Sequence, residues 1–327
     1  MKRFFAAPAK KQSLKGEDGA MPDLTWSKDG ACWPHRSTSK FVEAAGIRWH
    51  VQVMGQGAPL VLIHGTGAAT HSWRDLAPLL ARQFTVIAMD LPGHGFTQSP
   101  PVHRMSLPSM AADISQLLNV LGMRPEVAVG HSAGAAILAR MCLDGRIAPR
   151  SLVSLNGAFM PFGGMAGHMF APLARLLAMN PLVPRLFAWQ ASSGGAVDRL
   201  IRGTGSVIDA RGLSLYGKLV CSPNHVAAAL GMMANWQLEP LVRDLPQLKT
   251  RLVLVAADND KSVSPQVAAR VRQLLPKAEL VTLHGLGHLA HEQSPEAVAA
   301  LIIKSSAHAN GADEKPRICK PDLTQLG

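Results

Sequence analysis

One short stretch combines a hydroxyl nucleophile with two glycines in the order that a sharp strand-to-helix turn requires. Residues 130–134 read Gly-His-Ser-Ala-Gly, with an apolar run at 127–129 before them and a helix-forming run at 135–141 after them. The glycines permit a strained backbone and keep bulk away from the turn, so the serine oxygen stands exposed at the carboxyl end of a strand. This context predicts that Ser132 is a nucleophile; the alternative is a plain tight turn with a surface hydroxyl.

A serine hydroxyl is a weak nucleophile until a base removes its proton. The base should follow the last strand of the sheet, where residues 285–288 read Gly-Leu-Gly-His. The glycines give a loop that can bring an imidazole over the sheet edge, so His288 is the predicted base. His284 and His291 are less well placed, and we interpret them as supporting or surface residues.

The third member of such a site orients the imidazole and stabilises its cation. Asp258-Asn-Asp260 follows the apolar run 252–255. Asp260 is nearer the following helix and is the predicted acid, with Asp258 as the alternative. An aspartate-rich turn that caps the helix beginning near Pro265 would explain the same residues without chemistry.

An oxyanion needs N–H donors that are already in place. One is predicted to be the amide of Ala133, directly after the nucleophile. The other is expected from residues 64–67, His-Gly-Thr-Gly, with Thr66 as the donor. Three nearby polar residues are interpreted as fixing loops and not as catalysts, namely His64, Asp90 and His94.

The elements that position these residues alternate between strands and helices. A β-hairpin around Gly46 is predicted at 41–54. Further strands are predicted at 59–63, 84–89, 127–129, 151–155, 251–257 and 279–283. Helices are predicted at 73–82, 107–121, 135–143, 265–275 and 295–303. This rhythm predicts an α/β fold with a mostly parallel, eight-stranded sheet flanked by helices.

The alternation of strands and helices is interrupted between residues 156 and 248. There the sequence is rich in methionine and leucine, helix-like, and broken by proline and glycine. Because strands precede and follow this segment, it is predicted to be a helical cap inserted into the core. The core then comprises residues 41–155 and 249–304. Residues 1–40 form an N-terminal extension and residues 305–327 a C-terminal tail.

The 327 residues carry a formal charge of +11 and a pI of about 9.9. No nucleic-acid motif accompanies this charge, so anionic small molecules or an anionic membrane surface are the expected partners, and nucleic acid is not. The four cysteines form no CxxC pair. We therefore expect a reducing, cytoplasmic setting, without disulfides, metal or cofactor.

Two segments bear on membranes. Residues 1–19 form a basic tail whose apolar part, 4–9, is too short for a signal peptide; a disordered tail and a peripheral lipid contact are both compatible with it. Residues 151–174 hold no charged side chain and are long enough to cross a bilayer. Their asparagine, prolines and glycines favour a strand, then a loop and the first cap helix.

The motifs HGTG, DLPGHGFT, GHSAG, ADNDKSVSP and GLGH occur in this order, and with them residues 41–304 resemble the α/β-hydrolase superfamily. The chain order Ser132, Asp260, His288 is the order found in that superfamily. One departure is Ala256-Ala257, where the acid loop usually begins with glycine. Epoxide hydrolases and dehalogenases of the superfamily use an aspartate at the position of Ser132, which disfavours their chemistry here.

A narrower resemblance extends into the cap. WPHRSTSKFVEAAGIRWHVQVMGQG, NPLVPRLFA, RLIRGTGS and HVAAALGMMANW are similar to the magnesium-chelatase accessory family of bacteriochlorophyll gene clusters. The resemblance implies a role near magnesium insertion into protoporphyrin, a tetrapyrrole as the small-molecule substrate, and the magnesium-chelatase subunits as partners. It implies no particular reaction.

The cap composition suits a tetrapyrrole. Methionines and a tryptophan can form an adaptable apolar wall, and arginines can pair with propionates. The alternative is that the methionines pack within the cap and the arginines form a solvated face. The predicted ligand-binding residues are Met165, Met169, Arg199, Arg202, Arg211, Met232, Met233 and Trp236.

Three hypotheses follow. The first is a serine hydrolase for an ester-type bond in bacteriochlorophyll synthesis. The second is a tetrapyrrole-binding accessory protein that performs no obligatory hydrolysis. The third is a lactone or carbon–carbon bond hydrolase unrelated to pigment synthesis.

Overall fold

A computed structural model describes residues 23–161, 180, 182–192 and 195–308. Eight strands form one sheet in the order β1-β2-β4-β3-β5-β6-β7-β8. Pairs β1–β2 and β2–β4 are antiparallel, and the other five pairs are parallel. The prediction of a mostly parallel eight-stranded sheet is confirmed. The strands are β1 Ser39–Ala44, β2 Ile47–Met54, β3 Ala58–Ile63, β4 Phe84–Met89, β5 Val127–His131, β6 Ser151–Leu155, β7 Arg251–Ala257 and β8 Glu279–Leu283.

Helices flank this sheet and fill the insertion between β6 and β7. Those of the core and the N-terminal segment are α1 Trp26–Asp29, α2 Leu76–Leu80, α3 Leu107–Val120, α4 Ala133–Leu143, α10 Gln266–Leu274, α11 Ala290–Gln293 and α12 Pro295–His308. Those of the cap are α5 Leu182–Ala191, α6 Ala196–Gly203, α7 Ala210–Val220, α8 Pro223–Ala234 and α9 Glu239–Asp244. Within the described residues, no helix combines the length and the apolar character needed to cross a bilayer.

Two helices differ from the predicted bounds by three residues or more at one end, and the other three differ by one or two residues. Helix α2 starts at Leu76 and not at residue 73, because Pro78 lacks an N–H and is tolerated only in the first turn of a helix. A short 3-10 helix, Thr70–Trp73, precedes it. Helix α12 continues to His308, beyond the predicted residue 303. Its end is supported by side-chain bonds, such as Ser305 Oγ donating to the Leu301 carbonyl.

The inner strands β3 to β7 are covered on both faces, which is why they read as continuous apolar runs. Because successive side chains on a strand point to opposite faces, Val61 and Ile63 join the core cluster on one side. Leu60 and Leu62 join the cluster on the other side. With both faces covered, polar side chains can gather at the carboxyl ends of the parallel strands, which is where ligands bind in sheets of this kind.

The N-terminal segment from residue 23 packs onto the rest of the molecule. Trp33 is buried against Leu215 and Leu219 of the cap helix α7. The Asp23 carboxylate accepts hydrogen bonds from the backbone and side-chain nitrogens of Asn224, at 2.9 and 2.6 Å. This segment therefore joins core and cap. The basic N-terminal residues 1–19 lie outside the described residues. So do residues 162–174 of the uncharged segment 151–174.

Candidate active site

Ser132 lies in a strained turn between β5 and α4. Its φ is 51° and its ψ is −118°, a left-handed conformation that is uncommon for a residue other than glycine. A Cβ on Gly130 would lie 2.4 Å from the Ala135 nitrogen, and one on Gly134 would lie 2.1 Å from the Ile63 carbonyl oxygen. Both glycines are therefore required by close backbone contacts.

The strained residue is held by backbone hydrogen bonds to the strand beside it. Ser132 N donates to the Leu155 carbonyl at 3.0 Å, and Ala158 N donates to the Ser132 carbonyl at 3.0 Å. Ala133 is the first residue of α4, so its N–H has no acceptor within the helix and lies at the positive end of the helix dipole. Such a fixed donor suits a developing negative charge next to Ser132.

His288 and Asp260 are buried and bonded to each other. His288 Nδ1 and Asp260 Oδ2 are 2.7 Å apart. Asp260 Oδ1 accepts from the backbone N–H of Ser262 and of Val263, at 2.7 and 2.8 Å. Because an ionised carboxylate only accepts, the proton of a neutral His288 lies on Nδ1 and its Nε2 is left free to act as a base.

The alternative acid, Asp258, is directed elsewhere. Its carboxylate is exposed and bonds His284 Nδ1 at 2.9 Å and the Gly285 N–H at 2.7 Å. It stabilises the turn after β8, and the structure brings Asp260 to His288 instead. Of the two other histidines in this region, His284 is exposed and His291 is buried.

Two residues that the sequence did not single out hold the backbone of His288. The His288 carbonyl accepts from His131 Nε2 at 2.9 Å and from Asn156 Nδ2 at 2.9 Å. Asn156 has a φ of 47°, which asparagine tolerates better than most residues, and its Oδ1 accepts from the Ala257 N–H at 2.8 Å. Its position directly after β6 is the signal that could have identified it.

His131 also locates the His288 ring relative to the nucleophile. His131 is adjacent to Ser132 in the chain, and the ring centroids of His131 and His288 are 4.6 Å apart. Burial, with the nearby His291 and His288, lowers the pKa of His131 well below its usual value. A neutral His131 therefore supports His288 without adding a positive charge.

The loop at residues 64–67 runs beside the nucleophile. A Cβ on Gly65 would lie 2.9 Å from Ser132 Cβ. His64 fixes this loop, because its Nδ1–H donates to the Gly65 carbonyl at 2.7 Å and its Nε2 accepts from the Leu91 N–H at 2.9 Å. Burial lowers the pKa of His64, which is consistent with this neutral tautomer. The geometry accords with a loop-fixing role for His64.

Asp90 is a second buried loop anchor. Its carboxylate accepts from His50 Nδ1 at 2.7 Å and from the backbone N–H groups of Thr70 and Phe96, at 2.6 and 2.9 Å. Burial opposes ionisation, but the contacts with His50, His64 and the Phe96 N–H together outweigh it and hold the pKa of Asp90 below its usual value. His94 is buried on the same loop, with Nδ1 3.1 Å from the Pro92 carbonyl.

Of the predicted ligand-binding residues, Met232 reaches the site. It is fully buried on α8, and its Sδ lies 3.4 Å from Thr66 Oγ1. Met233 and Trp236 are half-buried. Arg199, Arg202 and Arg211 are exposed, and among the described residues no hydrogen bond or ion pair joins them to Ser132, His288 or Asp260. Met165 and Met169 lie outside the described residues.

The cap also contacts the loops that carry Asp260 and His288. His288 N donates to the Thr204 carbonyl at 3.3 Å, and Leu289 N donates to the buried Ser206 Oγ at 2.8 Å. Between them, Gly205 has a φ of 83°, and a Cβ there would lie 1.9 Å from the Asn259 carbonyl oxygen. The loop 204–206 is thus fitted against the loops that carry Asp260 and His288, a contact that the sequence did not reveal.

A buried polar cluster makes a second joint between core and cap. Arg74 bonds Glu292 through Nη1 and Asp209, the N-cap of α7, through Nη2 at 3.0 Å. Glu292 Oε1 accepts from Tyr216 Oη of the same cap helix at 2.7 Å. Burial raises the pKa of Glu292 to about 7, against the opposing contacts from Arg74 and Tyr216.

The described residues include no group of three or more His, Cys, Asp or Glu side chains arranged to hold a metal ion. They do include an open cavity of about 670 Å³, separate from Ser132, at the edge where the N-terminal segment meets the cap. Its aromatic wall consists of Trp26, Phe41 and Phe96.

Comparisons with known proteins agree with this architecture. The model of the alpha/beta hydrolase family matches residues 60–301. The chain is 38% identical over 275 residues to the magnesium-chelatase 30 kDa subunit of Rhodobacter capsulatus, which covers 84% of this chain and 96% of that protein. A shorter match, 38% over 101 residues, is to the soluble epoxide hydrolase of Corynebacterium sp. (strain C12), covering 31% of this chain and 35% of that protein.

Among solved structures, an alpha/beta hydrolase fold protein from Burkholderia ambifaria has a TM-score of 0.69 at 22% identity. The superposition covers 82% of this chain and 97% of that one. At this identity the likeness concerns the fold alone.

Proposed function

The chain belongs to the alpha/beta hydrolase family, and from that premise we propose that it is a serine hydrolase for an ester-type bond. Ser132 is the nucleophile, His288 the base and Asp260 the acid. The observation that carries the proposal is that Ser132, His288 and Asp260 lie at the same end of the sheet, after the carboxyl ends of its strands. A serine in a strained strand-to-helix turn lies next to His131, whose ring centroid is 4.6 Å from that of a histidine bonded to a buried aspartate.

The reaction would proceed in two halves. Ser132 Oγ attacks the carbonyl carbon while His288 Nε2 takes its proton, and Asp260 stabilises the resulting imidazolium. The N–H groups of Ala133 and Thr66 bind the oxyanion of the tetrahedral intermediate. When the intermediate collapses, His288 returns the proton to the leaving alcohol. Water, deprotonated by His288, then attacks the acyl-enzyme and releases the acid and free Ser132.

For the physiological role, we propose that the protein is an accessory to magnesium insertion in bacteriochlorophyll synthesis. Support comes from the relative named as a magnesium-chelatase subunit, since a match over 84% of this chain must include part of the cap. Caps vary among hydrolases with their substrates, so similarity there bears on ligand choice. The small-molecule ligand would be a tetrapyrrole and the protein partners would be chelatase subunits.

A second candidate is an accessory protein that binds a tetrapyrrole and does not need to hydrolyse it. It is favoured by the name of the same relative, which states a subunit role and no hydrolytic one. A lactone or carbon–carbon bond hydrolase is the remaining alternative, and the same serine chemistry would serve it.

Fluorophosphonate labelling tests the nucleophile. The wild-type protein should be labelled, the Ser132→Ala variant should not, and Ser27→Ala, which removes an exposed hydroxyl, should label as the wild type does. A wild-type protein that resists labelling while correctly folded would contradict the hydrolase proposal.

Complementation separates the two candidates. In a strain that lacks this protein, the wild-type chain should restore pigment synthesis and Ser132→Ala should not. Full restoration by Ser132→Ala would show that hydrolysis is not required and would leave the binding function.

Ligand binding can be measured independently of catalysis. We propose that Met232, Met233 and Trp236 contact the ligand, with Arg199, Arg202 and Arg211 at its carboxylates. Replacing Arg199 and Arg202 together by alanine should weaken protoporphyrin binding in a fluorescence titration. The matched control is Arg243→Ala, because Arg243 is also exposed, at 75%, but lies on α9. Unchanged affinity in the double variant would remove these arginines from the proposed site.

A further inference from the structure

Helix α5 of the cap turns its large apolar side chains to solvent. Leu182, Leu186 and Trp189 are 64%, 59% and 56% exposed. They are spaced by four and three residues, so they form one stripe along the helix. The buried residues of α5 are the small Pro184 and Ala188. The helix therefore exposes its bulky apolar side chains to solvent and buries its small ones.

The neighbouring surface extends this apolar face. Phe187 of the same helix is 46% exposed, and Leu200 on α6, which packs against α5, is 56% exposed. Single exposed apolar residues are common in proteins, but a run of leucine, phenylalanine and tryptophan on one helix marks an interaction site. We refer to Leu182, Leu186, Phe187, Trp189 and Leu200 as the outer cap face.

The charge along α5 has one sign, and the carboxylate of Asp198 on the neighbouring helix α6 is paired with Arg202 at 2.8 Å. From residue 145 to residue 197 the sequence contains no aspartate or glutamate. Arg185 lies within the stripe of α5 and is exposed. A docking site for another protein usually has a polar rim with both signs of charge. Leucine, phenylalanine and tryptophan interspersed with arginine instead suit a helix that lies in the head-group region of an anionic bilayer.

We propose that the outer cap face is a membrane-docking surface. Helix α5 lies flat on a lipid layer that contains anionic head groups. Its leucine and aromatic side chains enter the boundary between head groups and acyl chains, and Arg185 binds lipid phosphate.

The position of α5 links this surface to the candidate active site. Helix α5 packs against α8, and α8 carries Met232, which contacts Thr66. A docked α5 therefore leaves one further helix between the lipid and the loop beside Ser132. An apolar substrate dissolved in the membrane could enter beneath the cap without crossing water.

Vesicle co-sedimentation of the full chain tests the proposal. The wild-type protein should sediment with vesicles of equal parts phosphatidylglycerol and phosphatidylcholine, and poorly with phosphatidylcholine alone. The double variant Leu186→Ser/Trp189→Ser should bind roughly tenfold or more weakly, because it removes two large apolar side chains from the contact. Arg185→Glu should weaken binding to the anionic vesicles specifically.

The matched control is Val120→Ser at the end of α3, where an equally exposed apolar residue, at 60%, lies outside the cap. It should bind as the wild type does. The basic N-terminal residues are the same in every variant, so a difference between variants reports on the cap. Ser132→Ala should also bind vesicles normally, which separates a failure of docking from a failure of the hydrolase proposal.

A second readout locates the contact. The chain has six tryptophans, and brominated lipids should quench part of the fluorescence of the wild type but less of that of Trp189→Phe. The proposal is overturned if the wild type does not bind anionic vesicles, or if the double variant binds as tightly. Self-association that Leu186→Ser abolishes, without vesicle binding, would assign the face to contacts between copies of the chain.

Discussion

The loops around Ser132 and the cap above them are built in opposite ways. Ser132, His288 and Asp260 are held by hydrogen bonds that involve backbone groups, at the carboxyl ends of the parallel strands. The cap is joined to the core by polar side chains such as Ser206, Tyr216 and His225, and it exposes bulky apolar residues to solvent. The rigid region suits chemistry that tolerates little displacement. The cap suits recognition of a ligand or a surface.

The sharpest test of this division concerns the two aspartates after β7. Asp260→Asn should lower kcat for a small activated ester by roughly 10⁴-fold, because an amide that donates to His288 Nδ1 favours the wrong tautomer. Asp258→Asn changes the same side chain two residues away, on an exposed carboxylate bonded to His284. It should stay within about twofold of the wild type. Equal losses in the two variants would refute the assignment of Asp260.

A substitution in the cap should affect stability more than chemistry. Met232 is fully buried on α8, so Met232→Ala should reduce the free energy of unfolding by about 2–5 kcal/mol, as measured by urea denaturation. Met233→Ala, at a half-buried neighbour, is the control and should reduce the free energy of unfolding by less. The labelling rate with a small fluorophosphonate should change little in either. If Met232→Ala slowed labelling as much as Asp260→Asn, the cap would be part of the chemical machinery.

The joint between cap and core is open to a smaller test. Tyr216→Phe removes the hydroxyl that donates to the buried Glu292 and leaves the bond between Glu292 and Arg74 in place. Above the Glu292 pKa of about 7 the lost hydrogen bond involves a charged carboxylate, so at about pH 8.5 the free energy of unfolding should fall by about 1.5–3 kcal/mol. The control, Ser214→Ala, changes an exposed residue on the same helix and should be neutral. An unchanged free energy of unfolding in Tyr216→Phe would mean that this cluster does not hold the cap on the core.

The sequence predicted the sheet well because its strands depend on local composition. Strands β4, β6, β7 and β8 have the predicted bounds. The first three are apolar runs of the kind that burial on both faces requires. The pairing of His288 with Asp260 required more than composition. Position after a strand narrowed the acid to two aspartates, and only the path of the loop distinguishes them.

Contacts between distant segments could not be predicted from the sequence. Nothing in the types of His131 and Asn156 indicates that both bond the same carbonyl, because that depends on how β5, β6 and the loop after β8 meet. The fit of Gly205 against Asn259 is likewise tertiary. Helix α5 misleads for a different reason. Sequence patterns assume that large apolar residues face inward, whereas here Pro184 and Ala188 do so.

His225 connects the two regions and should give a measurable pH effect. Its Nδ1 accepts from the Gly95 N–H at 3.2 Å and its Nε2 is 3.1 Å from the Gly67 carbonyl, so cap helix α8 is tied to two loops of the core. Burial lowers the pKa of His225 from 6.5 to about 4. Below pH 6.5 the unfolded chain gains a proton that the folded chain does not, so stability is lost as the pH falls.

Between pH 7.5 and pH 5.5 this single group should lower the free energy of unfolding by about 1.3 kcal/mol. In His225→Asn that part of the pH dependence should disappear, even though the variant is less stable at every pH. The measurement is urea denaturation at both pH values. His284→Asn, which changes an exposed histidine with no tie to the cap, should keep the wild-type pH dependence. If His225→Asn kept it too, His225 would be protonated in the folded protein and its bond to the Gly95 N–H could not form.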